Sequence, residues 1–156
     1  MVGQHVYILR DIGTSVGLAP LRQIARQAGV KAVYRVTVCY ADNHASNAVA
    51  TLRQVNLQAP TLEVVYQGRF QHKPFVYSIN EQRFERLRAA FQRADFDHLR
   101  DQPDVSFYGL DWWLVERAAG EFLRSVVLSP HKPGLPYSIL VNAIDAFLPE
   151  ILRQIP

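Results

Sequence analysis

A chain of 156 residues, 49% hydrophobic and 20% charged, has the size and make-up of one globular domain, 1–156, whose core needs neither metal nor disulfide. The single cysteine, Cys39, excludes an internal disulfide and fits a reducing compartment; the apolar runs stop far short of the roughly 20 residues of a membrane span, and no secretory pattern opens the chain, so a cytoplasmic location without membrane contact is expected. The net charge of +3, carried mainly by arginine, leaves nucleic acid open as a partner and equally fits a solvated surface.

Residues 5–10 alternate loosely and predict a first strand, followed by a polar Gly/Ser/Thr loop over 11–17. Pro20 stands where a helix opens. Leu21, Ile24, Ala25 and Ala28 then keep helical spacing, and Gly29 is placed to end the helix in a left-handed conformation. Residues 33–40 alternate cleanly, with Tyr34, Val36, Val38 and Tyr40 on one face and Val33, Arg35, Thr37 and Cys39 on the other. Over 42–58, Ala45, Ala48, Val49, Leu52 and Val55 fit a helix capped by Asp42 or Asn43; a strand over 51–57 competes with it.

Residues 62–70 alternate again, and a four-residue loop of Gln71 to Pro74 predicts a hairpin with Phe70 opposite Phe75 and Tyr77 opposite Gly68. Asn80 caps a helix whose buried stripe is Phe84, Leu87, Ala90, Phe91 and Ala94. A second hairpin joins 108–118 to 121–129 through a three-residue loop at Ala118-Ala119-Gly120, with Arg117 facing Glu121. After a proline-rich loop, a helix from Tyr137 lines up Ile139, Leu140, Ala143, Ile144, Phe147 and Leu148, and Pro149 demands a kink or a new short helix. The order β-α-β-(α)-ββ-α-ββ-α defines an α+β fold: a mainly antiparallel sheet of five or six strands with helices on one face.

From the first helix onward this layout resembles small secretion-chaperone-like domains, which act as dimers; those chaperones are acidic where this chain is basic, and no motif is shared. Asp11-Ile12-Gly13-Thr14-Ser15 resembles the first phosphate-binding loop of actin-like ATPases, which implies backbone contacts to phosphate; the reading preferred over it is a polar strand-to-helix loop. Residues 24–30 resemble the turn of LacI-type helix-turn-helix proteins, but the alternating residues that follow argue for a strand where that family has its recognition helix.

Cys39, Asp42 and His44 offer nucleophile, acid and base types close together, against the reading of Cys39 as a small buried thiol. Asp95, Asp97, His98, Asp101 and Asp104 are hard-cation ligand types without the spacing of a calcium loop, and the histidines have no zinc spacing, so no metal or cofactor is expected. Glu116, Arg117, Glu121 and Arg124 read as ion pairs at an exposed hairpin tip. Trp112 and Trp113 point to opposite faces of a strand, so one of them needs cover from a loop, a helix or a partner.

The expectation is a protein-interaction module without catalytic activity, a homodimer or a binder of another protein, using Tyr108, Trp112 and Trp113. The alternative is a nucleic-acid-binding accessory protein using Arg22, Arg26, Arg83, Arg86 and Arg93. A small enzyme of undefined reaction is the third.

Overall fold

Apolar residues at helical spacing and six runs of strand-forming residues produce ten main elements among the described residues. The computed structural model describes residues 2–103 and 109–156 and, for residues 2–4, the backbone alone. Two helices come first, α1 (Val2–Ser15) and α2 (Leu21–Ala25). Four strands follow: β1 (Val30–Cys39), β2 (Ala48–Val55), β3 (Thr61–Tyr66) and β4 (Phe75–Ser78). Then come α3 (Glu81–Arg93), β5 (Trp112–Ala119), β6 (Phe122–Leu128) and α4 (Tyr137–Phe147), which is followed by a short 3-10 turn (Pro149–Leu152).

All strand pairs are antiparallel, in the order β4-β3-β2-β1-β5-β6. The fold is therefore α+β with a six-stranded antiparallel sheet. Among the described residues no helix is long and apolar enough to cross a membrane.

Helices cover both faces of the sheet, where one face was expected. On the first face, Tyr34, Val36 and Val38 of β1 and Leu62 and Val64 of β3 pack against Phe84 and Leu87 of α3 and Leu140 and Ile144 of α4. The predicted stripe of α3 is buried; along that of α4, Leu140, Ala143, Ile144 and Leu148 are buried while Ile139 and Phe147 are half-buried against the same core, and the Asn80 side chain caps α3 by accepting the Arg83 N–H at 2.7 Å. Pro149 opens the 3-10 turn, as its missing N–H requires.

On the second face lie two separate apolar clusters. Leu9, Ile12 and Val16 of α1 cover Val49, Val65, Trp112, Leu114 and Val127. Leu21, Ile24 and Ala25 of α2 cover Val33 and Ala118.

Several local expectations are corrected. Residues 5–10 are helical: the stripe Leu9, Ile12, Val16 has helical spacing and runs on through Gly13, which the presumed loop interrupted. Thus Asp11 to Ser15 form the last turn of a helix, not a phosphate-binding loop. Helix α2 stops at Ala25, and Gly29 adopts φ +83° at the entry to β1, so no second helix follows. Of the helix and the strand that compete over 42–58, the structure has the strand, at 48–55. It is central and buried on both faces, so apolar residues fill both sides and imitate a helical stripe. Asp42 and Asn43 are left-handed turn residues, a conformation their short polar side chains tolerate, and cap nothing.

The β3–β4 register pairs Val64 with Phe75 and Leu62 with Tyr77, so the connection is longer than four residues. Phe70, Gln71 and His72 are successively left-handed. That turn is held by the Gly68 N–H donating to His72 Nε2 at 2.9 Å and by the Phe70 ring packing edge-on to Phe75 at 5.0 Å. The β5–β6 hairpin pairs Ala119 with Phe122 across a tighter turn at Gly120 (φ +56°), and Arg117 faces Arg124, not Glu121.

Candidate functional site

Between the two apolar clusters of the second face, the sheet carries a polar row running across five strands. Register places Glu63 beside Thr51, Thr51 beside Arg35, Arg35 beside Glu116, and Glu116 beside Ser125. Arg35 is 6% exposed and Glu116 4% exposed. Long charged side chains are rarely buried unless paired, so each needs an account.

Glu116 has one. Its Oε2 accepts from Arg10 Nε at 3.3 Å and from the Ser125 hydroxyl at 2.9 Å, and Ser125 in turn accepts from Arg10 Nη2 at 2.6 Å. Helix α1 thereby reaches down to neutralise a carboxylate on the sheet.

Arg35 is only partly satisfied. Its Nε donates to Thr51 Oγ1 at 3.0 Å and its Nη1 to the Ala19 carbonyl at 2.9 Å, while its buried Nη2 has no hydrogen-bond partner among the described residues. No carboxylate lies within ion-pair distance of it among the described residues. Burial lowers its pKa from the guanidinium range; the Glu116 charge opposes the shift, Arg53 reinforces it and Glu63 opposes it.

A cavity of about 440 Å³ lies at this row, beneath the connection between α1 and α2. Arg10, Arg22, Arg35, Thr37 and Glu116 line it, with Leu18, Leu21 and Leu123 as apolar walls. Gly13 borders it as well, and a Cβ built there meets nothing within 4 Å. The size falls in the range of small-molecule sites, and the lining has their usual form of apolar surface with a few convergent polar groups.

The sequence-based candidates are placed differently. Trp112 and Trp113 do point to opposite faces, but each is only 4% exposed within this chain. Trp113 belongs to the core under α3 and α4, and Trp112 lies under α1 with the His5 ring at 5.4 Å, so a helix supplies the cover. Tyr108 lies outside the described residues. The five arginines do not gather: Arg22 sits on α2 and Arg26 just past its end, and Arg83, Arg86 and Arg93 sit on α3, across the sheet. Arg26 is paired with Glu121 at 2.7 Å, and Arg83 with Glu150 and the Phe147 carbonyl.

Cys39 has a thiol pushed up in pKa by burial and by the Asp111 charge, the opposite of nucleophile activation. His44 Nδ1 is engaged with the Ala41 carbonyl at 2.8 Å. The acidic exit after α3 clamps structure. Asp97 binds Arg117 at 3.1 Å, Asp95 pairs with His98, and Asp101 accepts the Val127 N–H at 2.7 Å. No group of three metal-ligand types forms among the described residues, and Asp104 lies outside them.

The residues that do converge, Arg10, Arg35, Thr37 and Glu116, were not singled out as a site from sequence. The available signal was a charge at an interior position of a strongly apolar strand. Glu116 was read at an exposed tip and is buried instead, because its strand is sandwiched between two helical layers. The chain matches no known family model and no curated protein sequence.

Proposed function

We propose that the chain is a non-catalytic binding module and that the cleft beneath the α1–α2 connection is where it binds. The carrying observation is Arg35, a buried guanidinium with an unpartnered nitrogen on the wall of a cavity of ligand size. A guanidinium buried without a carboxylate partner is destabilising, and an acceptor brought in by a ligand would offset that cost. Amide chemical shifts of the full chain, recorded against a library of small fragments, test this. Shifts clustered at Gly13, Thr14, Leu18, Thr37 and Leu123 are the expected result; a library that moves none of them overturns the reading.

A second reading, self-association, has one observation in its favour. The outer edge of β6 is covered by residues 101–102, through the Asp101 and Gln102 bonds to Val127, whereas β4 is an edge strand. Phe75-Val76-Tyr77-Ser78 carries no charge, and Val76 is 60% exposed, so two copies can align there without like-charge repulsion. Light scattering after size exclusion should give a dimer that Val76→Lys converts to monomer; a wild-type monomer at high micromolar concentration ends this reading.

The nucleic-acid reading draws no support from the arginine positions, since α2 and α3 cannot present one surface.

A further inference from the structure

We propose that the ligand of this cleft is a small organic monocarboxylate held by the Arg35 guanidinium. The inference rests on the reading of the cleft as a binding site and names what enters it.

Three features select the ligand. The first is donor capacity. An arginine side chain has five N–H donors in a planar fork, and in Arg35 two of its nitrogens are engaged, one bond each, while Nη2 has no partner. A planar acceptor with two oxygens matches that fork, as a neutral carbonyl or a cation does not.

The second is charge balance. Three guanidinium groups and one carboxylate line the cavity. Arg10 is committed to Glu116 and Ser125, and Arg22 is exposed at the margin, so one buried positive charge is left to balance. A single negative charge balances it. A dianion would bring a second charge toward the Glu116 carboxylate, which lines the same cavity.

The third is the wall. Leu18, Leu21 and Leu123 favour an apolar remainder behind the carboxylate. Nη2 is shielded from bulk water, and the Ala19 carbonyl that holds the same guanidinium belongs to the connection above it.

The test is calorimetric titration of the full chain with hexanoate, benzoate and phenylacetate, each against its primary amide, and with inorganic phosphate. At least one acid is expected to bind about tenfold or more tightly than its amide, because the amide leaves the buried charge uncompensated. Arg35→Gln should abolish the preference. Gly13→Leu, which keeps Arg35 and fills the cavity from the helix side, should abolish binding of acid and amide alike. The acid–amide comparison is made on the wild-type chain, so the inference stays open to refutation if Arg35→Gln fails to fold.

Equal binding of acids and amides overturns the carboxylate inference and leaves the cleft as a site for neutral ligands. Binding of phosphate with silence from every acid overturns it too. Silence from all of these compounds, alongside fragment-induced shifts at Gly13 and Thr37, rejects the carboxylate but not the cleft. Silence in both experiments rejects both.

Discussion

Arg35 is the residue at which stability and use diverge. A buried charge without a carboxylate partner pays desolvation for little Coulombic return. Arg35→Met should therefore leave urea stability unchanged within about 1 kcal/mol or raise it, despite two lost hydrogen bonds. Glu116→Ala should instead cost roughly 2–4 kcal/mol, since it strips Arg35 of its main opposing charge and leaves the Ser125 hydroxyl and Arg10 Nε without their acceptor. Equal losses from the two changes would mean that Arg35 is an ordinary structural arginine.

Tyrosines give the residue-scale pH prediction. Burial raises the pKa of Tyr40 to about 12, its phenol lying near the Asp111 charge, and burial also raises those of Tyr34, Tyr66 and Tyr137. In the unfolded chain these phenols ionise near pH 10, a value typical of free tyrosine. Between about pH 10 and 12 the unfolded state thus binds fewer protons than the folded one, and stability falls as pH rises. Absorbance at the phenolate band, followed together with circular dichroism, should show late ionisation coinciding with unfolding. Reversible early titration of all tyrosines in the folded protein would contradict it.

Among elements, α3 and β2 mark the range of what the sequence disclosed. Helix α3 announced itself because cap, stripe and polar face agree. Asn80→Ala should cost about 1 kcal/mol by thermal melting, through loss of the bond to the Arg83 N–H. Strand β2 was legible only as the alternative to a helix, because burial on both faces removes the alternation that marks a strand. Helix α1 was hidden for the opposite reason: four apolar residues in a row, Val6 to Leu9, supply an alternation on any period, and only the packing of Leu9, Ile12 and Val16 on the sheet decides. The site was hidden with them. Its residues come from α1, β1 and β5, and the row Thr51-Arg35-Glu116 exists only once β1 is known to lie between β2 and β5.

At the scale of the molecule, one sheet separates two layers that hold different amounts of core. The α3/α4 layer is a continuous cluster, while the α1/α2 layer is two smaller clusters split by the polar row. A chain lacking residues 1–17 should keep the first layer and uncover the second. Acrylamide should then quench Trp112 and spare Trp113, giving two separable quenching components. A single component in the shortened chain would mean that the two layers stand or fall together.

The central position of β1 also governs how the molecule is made. Its partner on one side, β2, leaves the ribosome directly after it. Its partner on the other, β5, follows only after β3, β4 and α3, with Val33 meeting Ala118. At about 5–20 residues per second, β1, buried over most of its length in the finished fold, spends on the order of ten seconds as an unpaired edge during synthesis. A nascent chain arrested after α3 should therefore be the form that aggregates, or that a holdase captures.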